Sequence, residues 1–201
     1  MFFSFDGLDG AGKSTQLDLF CHWLTERGRE VVRCYDPGCT PLGETIRGLL
    51  LGDKTTAISR RSEMLLFMAA RAQLVEEVIA PALAVGKVVV SDRYLLANVV
   101  YQGYAGGLDV DALWQIGRVA TQGVLPDLTF VLDLPLSEAT GRIRRPLDRM
   151  ELQGSDFQSR LRDGFLAAAV RDPQHIAIID AARTIEAIAA EIRSLAEPLL
   201  R

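Results

Sequence analysis

Short, mainly apolar runs alternate with longer segments of helical periodicity along the whole chain. Strands are predicted over residues 1–6, 30–35, 87–91, 128–132 and 176–179. Helices are predicted over residues 15–27, 42–51, 60–84, 95–103, 109–123, 136–144, 155–170 and 184–195. Strands that alternate with helices form right-handed βαβ units. The pattern therefore predicts an α/β fold with a five-stranded parallel sheet flanked by helices.

Length and composition indicate one globular domain over residues 1–201. Of these 201 residues 49% are hydrophobic, and no repeat, low-complexity tract or interdomain linker interrupts them. The net charge of −4 provides no general attraction to nucleic acid or anionic membranes, and no apolar run approaches membrane-spanning length. Neither nucleic acid nor membrane is expected as a partner. The three cysteines form no C-x-x-C pattern, which suits free thiols in the cytoplasm.

A glycine-rich motif directly follows the first predicted strand. Residues 7–14 read GLDGAGKS, which matches the phosphate-binding pattern G-x-x-x-x-G-K-[ST] and opens the first predicted helix. Such a loop turns its backbone N–H groups and the helix N-terminus toward an anion. Lys13 is expected to reach the β- and γ-phosphates, and the Ser14 hydroxyl to bind Mg²⁺. The triphosphate site is predicted to comprise Gly7, Leu8, Asp9, Gly10, Ala11, Gly12, Lys13, Ser14 and Thr15.

Two further groups of residues suggest a second phosphate and a base. Asp92 and Arg93 follow a buried strand, where parallel sheets bind ligands, so Asp92 is expected near the Mg²⁺ and Arg93 on a second phosphate. Phe67 and Arg71 are four residues apart and share one helix face. They could stack on a base and donate to its carbonyl group. Alternatively, Phe67 could pack in the core while Arg71 forms a structural ion pair. The spacing alone favours this second interpretation but leaves both open.

Five motifs, in order along the chain, resemble those of the thymidylate kinase family, in the nucleoside monophosphate kinase group of P-loop NTPases. They are residues 5–16 (FDGLDGAGKSTQ), 36–47 (DPGCTPLGETIR), 66–73 (LFMAARAQ), 91–103 (SDRYLLANVVYQG) and 147–151 (LDRME).

The resemblance implies a three-layer P-loop NTPase fold with a short arginine-rich lid at about residues 142–152. It also implies phosphorylation of dTMP to dTDP with Mg²⁺ and ATP, by a homodimer. One alternative is a related kinase that acts on another monophosphate or on a deoxynucleoside. The other is a nucleotide-binding module without catalytic activity, although such a module would need no second phosphate site.

Residue by residue, the resemblance implies roles for both ends of the site. The residues expected to bind dTMP are Asp36, Arg47, Phe67, Arg71, Arg93, Asn98 and Tyr101. Asp9 would lie between donor and acceptor, with Lys13 and Arg93 as further catalytic residues. Some members carry an arginine at the position of Gly10. Since this chain does not, the lid is expected to supply the catalytic arginines, and its candidates are Arg142, Arg144, Arg145 and Arg149.

Overall fold

A five-stranded parallel sheet forms the centre of the protein. The computed structural model describes residues 1–52, 56–142 and 153–200. The strands are β1 (Phe2–Gly7), β2 (Val31–Tyr35), β3 (Val88–Asp92), β4 (Leu128–Asp133) and β5 (Ile176–Asp180). All four neighbouring pairs are parallel, and the strand order is β2-β3-β1-β4-β5. The predicted fold class is confirmed.

Helices connect the strands, with bounds close to the predicted ones. They are α1 (Lys13–Glu26), α2 (Pro41–Arg47), α3 (Arg60–Leu74), α4 (Ala80–Ala84), α5 (Leu95–Asn98), α6 (Val110–Thr121), α7 (Leu136–Arg142), α8 (Ser155–Arg171) and α9 (Ile185–Ala196). Wider π-helical turns follow α2, α3 and α5, at Gly48–Gly52, Val75–Ile79 and Val99–Tyr104. The helix predicted over 60–84 is therefore α3 and α4 joined by a π-helical turn.

The strands β1, β3, β4 and β5 reach one residue further toward their carboxyl ends than the apolar pattern predicts, whereas β2 ends as predicted. Asp92 and Asp133 each end a strand, and their backbones pair with Phe5 and Asp180 respectively. The apolar runs stop before these residues because Asp92 lines the cleft and Asp133 accepts a hydrogen bond from Arg162, whereas backbone pairing continues.

Both faces of the sheet are covered by apolar side chains. On one face, Phe20 of α1 packs against Phe3 and Phe130 with ring centroids 5.1 and 5.7 Å apart. On the other face, Tyr94 packs edge-on against Phe2 at 4.9 Å. This double coverage accounts for the uninterrupted valine run of β3, because a strand buried on both sides has no solvent-facing position for a polar residue.

The strand order produces a crevice at one edge of the sheet. β1 lies between β3 and β4, so the chain leaves β1 toward one side and later returns to the other. Ligands of open α/β sheets bind at the carboxyl ends of the strands where the order reverses in this way. The Arg93 amide donates to the Phe5 carbonyl at 2.9 Å, which holds the end of β3 beside the glycine-rich loop. In the described parts of the chain, no helix is long and apolar enough to cross a bilayer.

Candidate functional site

A cleft of about 1300 Å³ lies at this edge and brings most of the predicted site residues together. Its lining includes Asp9, Gly10, Ala11, Gly12, Lys13, Ser14, Thr15, Asp36, Arg47, Phe67, Arg71, Asp92, Arg93, Asn98, Tyr101 and Arg142. Gly7 and Leu8 are buried and do not line it. The predicted lid residues Arg144, Arg145 and Arg149 lie outside the described residues.

The glycine-rich loop presents backbone N–H groups to the cleft. Gly12 precedes α1 in a left-handed conformation (φ 95°), and no side chain caps the helix, which leaves its first amides available to an anion. Gly10 also has a positive φ, 85°, and a Cβ atom there would collide with the Ala139 carbonyl oxygen of α7. A side chain at residue 10 would therefore be strained by its own backbone and blocked by α7.

Lys13 and Asp9 form an ion pair inside the loop. The Lys13 ammonium donates to the carbonyl oxygens of Gly7 and Leu8 at 3.2 and 2.9 Å and to Asp9 Oδ1 at 3.2 Å. Burial lowers the pKa of Lys13, as does the charge of Arg93, and Asp9 opposes this shift. Burial disfavours ionised Asp9, but the charges of Arg93 and Lys13 outweigh it and hold the pKa of Asp9 well below its usual range.

Arg93 shares the same carboxylate. Its Nη2 donates to Asp9 Oδ1 at 2.7 Å, its Nη1 donates to the Gly7 carbonyl at 3.2 Å, and its guanidinium carbon lies 5.1 Å from the centroid of the Tyr101 ring. The residue has φ 64°, a left-handed conformation that costs a non-glycine residue about 1 kcal/mol or more. The strained backbone aims the guanidinium back at the loop, so Lys13 and Arg93 flank Asp9 at the centre of the cleft.

The oxygen groups near the loop are suited to a hard divalent cation. Ser14 and Asp92 both line the cleft and supply hydroxyl and carboxylate oxygens. Asp6 of β1 is fully buried, with neither carboxylate oxygen hydrogen-bonded and Arg93 Nη1 3.7 Å from its Oδ1, and burial raises its pKa to about 7. Ser14 and Asp92 fit Mg²⁺, which usually takes one or two protein oxygens together with phosphate and water.

Arg71 forms a buried ion pair and still lines the cleft. Its Nε donates to Asp36 Oδ2 at 2.5 Å, and its other contacts are Asn98 Oδ1 at 3.1 Å, Met68 Sδ at 3.1 Å and the Tyr94 carbonyl at 3.4 Å. Burial raises the pKa of Asp36, and the charge of Arg71 opposes that shift. Four of the five N–H groups of Arg71 are thus used by described residues, which leaves one for a ligand.

The structure combines the two interpretations that the spacing of Phe67 and Arg71 left open. Arg71 makes the structural ion pair, yet both residues line the cleft. Phe67 is half-buried and packs against the cluster of Ile46, Leu50 and Ala70, which leaves part of its ring facing the cleft. A planar ring and one remaining guanidinium N–H therefore occur at the same end of the cleft.

Arg47, Tyr101 and Arg142 complete the predicted set in the described parts of the chain. Arg47 donates to the Pro37 carbonyl at 2.8 Å. Tyr101 packs edge-on against Phe157 with centroids 6.4 Å apart, directly below the Arg93 guanidinium. Arg142 is exposed at the end of α7, with Glu138 3.8 Å away. Arg142 is the lid candidate that the structure places at the cleft.

Sequence reasoning missed one wall of the cleft and a buried pair, one member of which lines the cleft. The loop between β5 and α9 contributes Ala181, Arg183 and Thr184 to this wall, and Ile185 begins α9 there. Gln16 of α1 donates to the Ile185 carbonyl at 3.0 Å. The rule used for Asp92 could have found this loop, because it too follows the carboxyl end of a parallel strand. The missed pair is Gln102 and Glu63, whose side chains meet at 2.8 Å. No local spacing signals a contact between residues so far apart in the chain.

Comparison with known proteins identifies relatives over nearly the full chain. A family model described as thymidylate kinase matches residues 5–192. The thymidylate kinase of Solidesulfovibrio magneticus is 43% identical over 100% of both chains. That of Kosmotoga olearia is 44% identical over 94% of this chain and 91% of its own. The crystal structure of thymidylate kinase from Ehrlichia chaffeensis superposes with a TM-score of 0.79 at 31% identity, covering 97% of each chain.

Proposed function

The chain belongs to the thymidylate kinase family, and from that premise we propose that its cleft transfers the γ-phosphoryl group of Mg-ATP to the phosphate of dTMP. The protein is an ATP-dependent nucleoside monophosphate kinase that phosphorylates dTMP to dTDP. The observation that carries the residue assignment is the position of Asp9 in the glycine-rich loop, where it binds both Lys13 of the same loop and Arg93 at the end of β3.

The donor half of the cleft is the glycine-rich loop and the start of α1. The uncapped amides after Gly12 and the ammonium group of Lys13 would bind the β- and γ-phosphates of ATP. Ser14 and Asp92 would hold the Mg²⁺, which supplies positive charge to the phosphate oxygens when it is bound. The loop between β5 and α9 borders the same half and is available to the rest of the nucleotide.

The acceptor half takes the monophosphate and the base. Arg93 and Arg47 would hold the dTMP phosphate, Phe67 would stack on thymine, and the remaining N–H of Arg71 would donate to its O4. Tyr101 lies beside Arg93, where it would pack under the sugar and crowd a 2′-hydroxyl group. A donor facing the base favours thymine or uracil over cytosine, whose exocyclic amine is also a donor.

Charge explains why the reaction needs several cations and no general base. A phosphate monoester has its second pKa near 6, so the attacking oxygen of dTMP is mostly deprotonated at pH 7. ATP at about −4 and dTMP at about −2 leave roughly −4 after one Mg²⁺. Lys13, Arg47, Arg93 and at least one lid arginine would provide about that much positive charge. Catalysis then consists of positioning and electrostatic stabilisation of in-line transfer.

A homodimer and a cytoplasmic location complete the proposal. α3 and α6 pack against each other, and each presents an exposed apolar side chain, Leu65 and Val119 respectively. Such residues are suited to a contact with a second copy. Three free cysteines are consistent with a reducing compartment. Analytical ultracentrifugation tests the dimer, and a monomer at micromolar concentration would contradict it.

A coupled ADP-release assay with a panel of acceptors tests the function. The panel contains dTMP, dUMP, dCMP, dAMP, dGMP and thymidine, and Lys13→Ala serves as the inactive control. Turnover is expected with dTMP above all other acceptors. Preference for another monophosphate would instead identify a related nucleotide kinase, and preference for thymidine a nucleoside kinase. Absence of turnover with every acceptor would favour a nucleotide-binding module.

A further inference from the structure

A chain of buried hydrogen bonds runs from the first turn of α3 to the acceptor end of the cleft. Gln102 Nε2 donates to Glu63 Oε1 at 2.8 Å. Asn98 Nδ2 donates to Gln102 Oε1 at 2.6 Å, and Arg71 Nη1 donates to Asn98 Oδ1 at 3.1 Å. All four side chains are buried, with no more than 5% of any residue exposed.

The two ends of this chain fix the direction of every hydrogen bond in it. A carboxylate at Glu63 can only accept, so the amide nitrogen of Gln102 must face it. The carbonyl oxygen of Gln102 then faces Asn98, whose own nitrogen must turn toward Gln102. At the other end, a guanidinium can only donate, which requires the oxygen of Asn98 to face Arg71. The Glu63 carboxylate and the Arg71 guanidinium thus require the same orientation of the Asn98 amide.

The orientation of Asn98 matters because its amide borders the cleft beside the remaining N–H of Arg71. If the amide turned over, its NH₂ group would face the Arg71 N–H groups, donor against donor. Asn98 would then present the wrong hydrogen-bonding groups to a base, and Arg71 would lose a partner. A buried amide without fixed partners would therefore recognise the base poorly.

We propose that Glu63 is a positioning residue for base recognition. It acts through the amide of Gln102, which lines the cleft itself, and through that of Asn98. Glu63 does not contact the reacting phosphates in this assignment. Its effect is to hold one orientation of the two amides, and with them the guanidinium of Arg71, before the nucleotide binds. The proposal rests on the proposed function, because it takes the Arg71 end of the cleft as the site of the base.

A double-mutant cycle of Gln102→Met and Glu63→Gln tests the proposal. Gln102→Met keeps the length of the side chain and removes both hydrogen bonds. It is expected to raise KM for dTMP about fivefold, the factor that corresponds to one net hydrogen bond of about 1 kcal/mol. Glu63→Gln keeps the shape but no longer dictates which way the Gln102 amide points, so KM for dTMP is expected to rise about threefold. In both variants kcat and KM for ATP should stay within about twofold of wild type, as P-loop contacts are untouched.

The double variant separates action through Gln102 from a general effect of charge. If Glu63 acts through Gln102, adding Glu63→Gln to Gln102→Met leaves KM for dTMP where Gln102→Met alone has put it. Multiplied effects of the two substitutions would overturn the proposal, as would an unchanged KM for dTMP in Gln102→Met. A parallel loss of kcat or of ATP affinity would instead show a merely structural role and would also overturn it.

Two controls keep the result interpretable. Gln174→Met changes an exposed glutamine between α8 and β5 in the same way and is expected to leave every constant at its wild-type value. Should Gln102→Met fail to fold, the isosteric Glu63→Gln variant is measured alone by calorimetric titration with dTMP, and unchanged affinity overturns the proposal. Failure of the proposed function would be seen as an absence of dTMP turnover in the wild-type protein. The positioning role of Glu63 is tested instead by the ratio of KM for dTMP in each variant to that of the wild type.

Discussion

Replacing Asp36 by asparagine is expected to destabilise the protein strongly, beyond any effect on dTMP. Asp36 and Arg71 are 4% and 1% exposed, and Asp36 Oδ2 lies 2.5 Å from Arg71 Nε. After the substitution, the buried guanidinium of Arg71 has only neutral groups as its nearest contacts. Breaking one side of a buried pair in this way costs about 3–5 kcal/mol of unfolding free energy. For a chain of this length that corresponds to a fall in Tm of about 12 °C.

Urea denaturation followed by circular dichroism measures the change. The matched control is Asp18→Asn, because Asp18 pairs with Arg33 at the surface, where both side chains are more than half exposed. An exposed pair contributes below about 1 kcal/mol, so this control should unfold nearly as the wild type does. A second comparison is the double variant Asp36→Leu with Arg71→Met. It removes both charges and should recover most of the lost stability, while dTMP binding remains lost.

The reasoning would be refuted by two results. One is a loss of less than about 1 kcal/mol in Asp36→Asn, which would mean that the guanidinium reaches water or another anion. The other is a double variant no more stable than Asp36→Asn, which would mean that packing of the acid, and not the unpaired charge, determines the cost. Recovery of stability without recovery of dTMP binding would show that the fold requires only that the two charges be paired or both absent, whereas dTMP binding requires the pair itself.

Three further predictions concern the glycine-rich loop and the strand ends beside it. Gly10→Ala should lower kcat/KM for ATP at least tenfold, because residue 10 has a positive φ and its Cβ would meet the Ala139 carbonyl. The control Gly141→Ala has open space around its Cβ and should leave kcat/KM unchanged, so equal kinetics in the two variants would contradict this prediction. Asp6 has a pKa raised to about 7 from 3.8, so the folded state binds its proton more tightly and stability from this group falls as pH rises from about 4 to about 7. Urea titrations should therefore find Asp6→Asn more stable than wild type at pH 8 by up to about 4 kcal/mol, with no such gain at pH 4; a pH-independent difference would refute the assignment. Arg93→Ala should reduce kcat/KM for dTMP about 1,000-fold with an unchanged circular dichroism spectrum, and near-wild-type turnover would remove Arg93 from the site.

Features that depend on local order along the chain could be predicted from the sequence. The parallel sheet follows from strands that alternate with helices, and the glycine-rich loop from its spacing and its position between strand and helix. The position of Asp92 at the cleft could be predicted because the carboxyl ends of parallel strands share one edge. Each of these inferences needs only neighbours in the chain and one general rule of topology.

Contacts between distant segments could not be predicted in the same way. The approach of the Ala139 carbonyl to Gly10 depends on how α7 packs over the loop, and no residue in either segment signals it. The same holds for Gln102 and Glu63, whose hydrogen bond joins residues 39 positions apart. Arg71 is a second example of this limit. Its spacing from Phe67 allowed either a ligand contact or an ion pair. The position of Asp36 in the folded chain shows that Arg71 forms the ion pair and still keeps one N–H group for a ligand.

The electrostatics of Asp9 explain how a carboxylate at the centre of the cleft can serve a reaction that needs no base. Lys13 and Arg93 both bind Asp9, at 3.2 and 2.7 Å, and they hold its pKa well below the usual range. A group that acidic does not take a proton at neutral pH, least of all from a phosphate whose second pKa is near 6. Its charge instead reduces the repulsion between two cations that must stay close together. Since those cations are expected to bind phosphates on opposite sides of it, Asp9 brings the donor and acceptor sites to the short separation that in-line transfer requires.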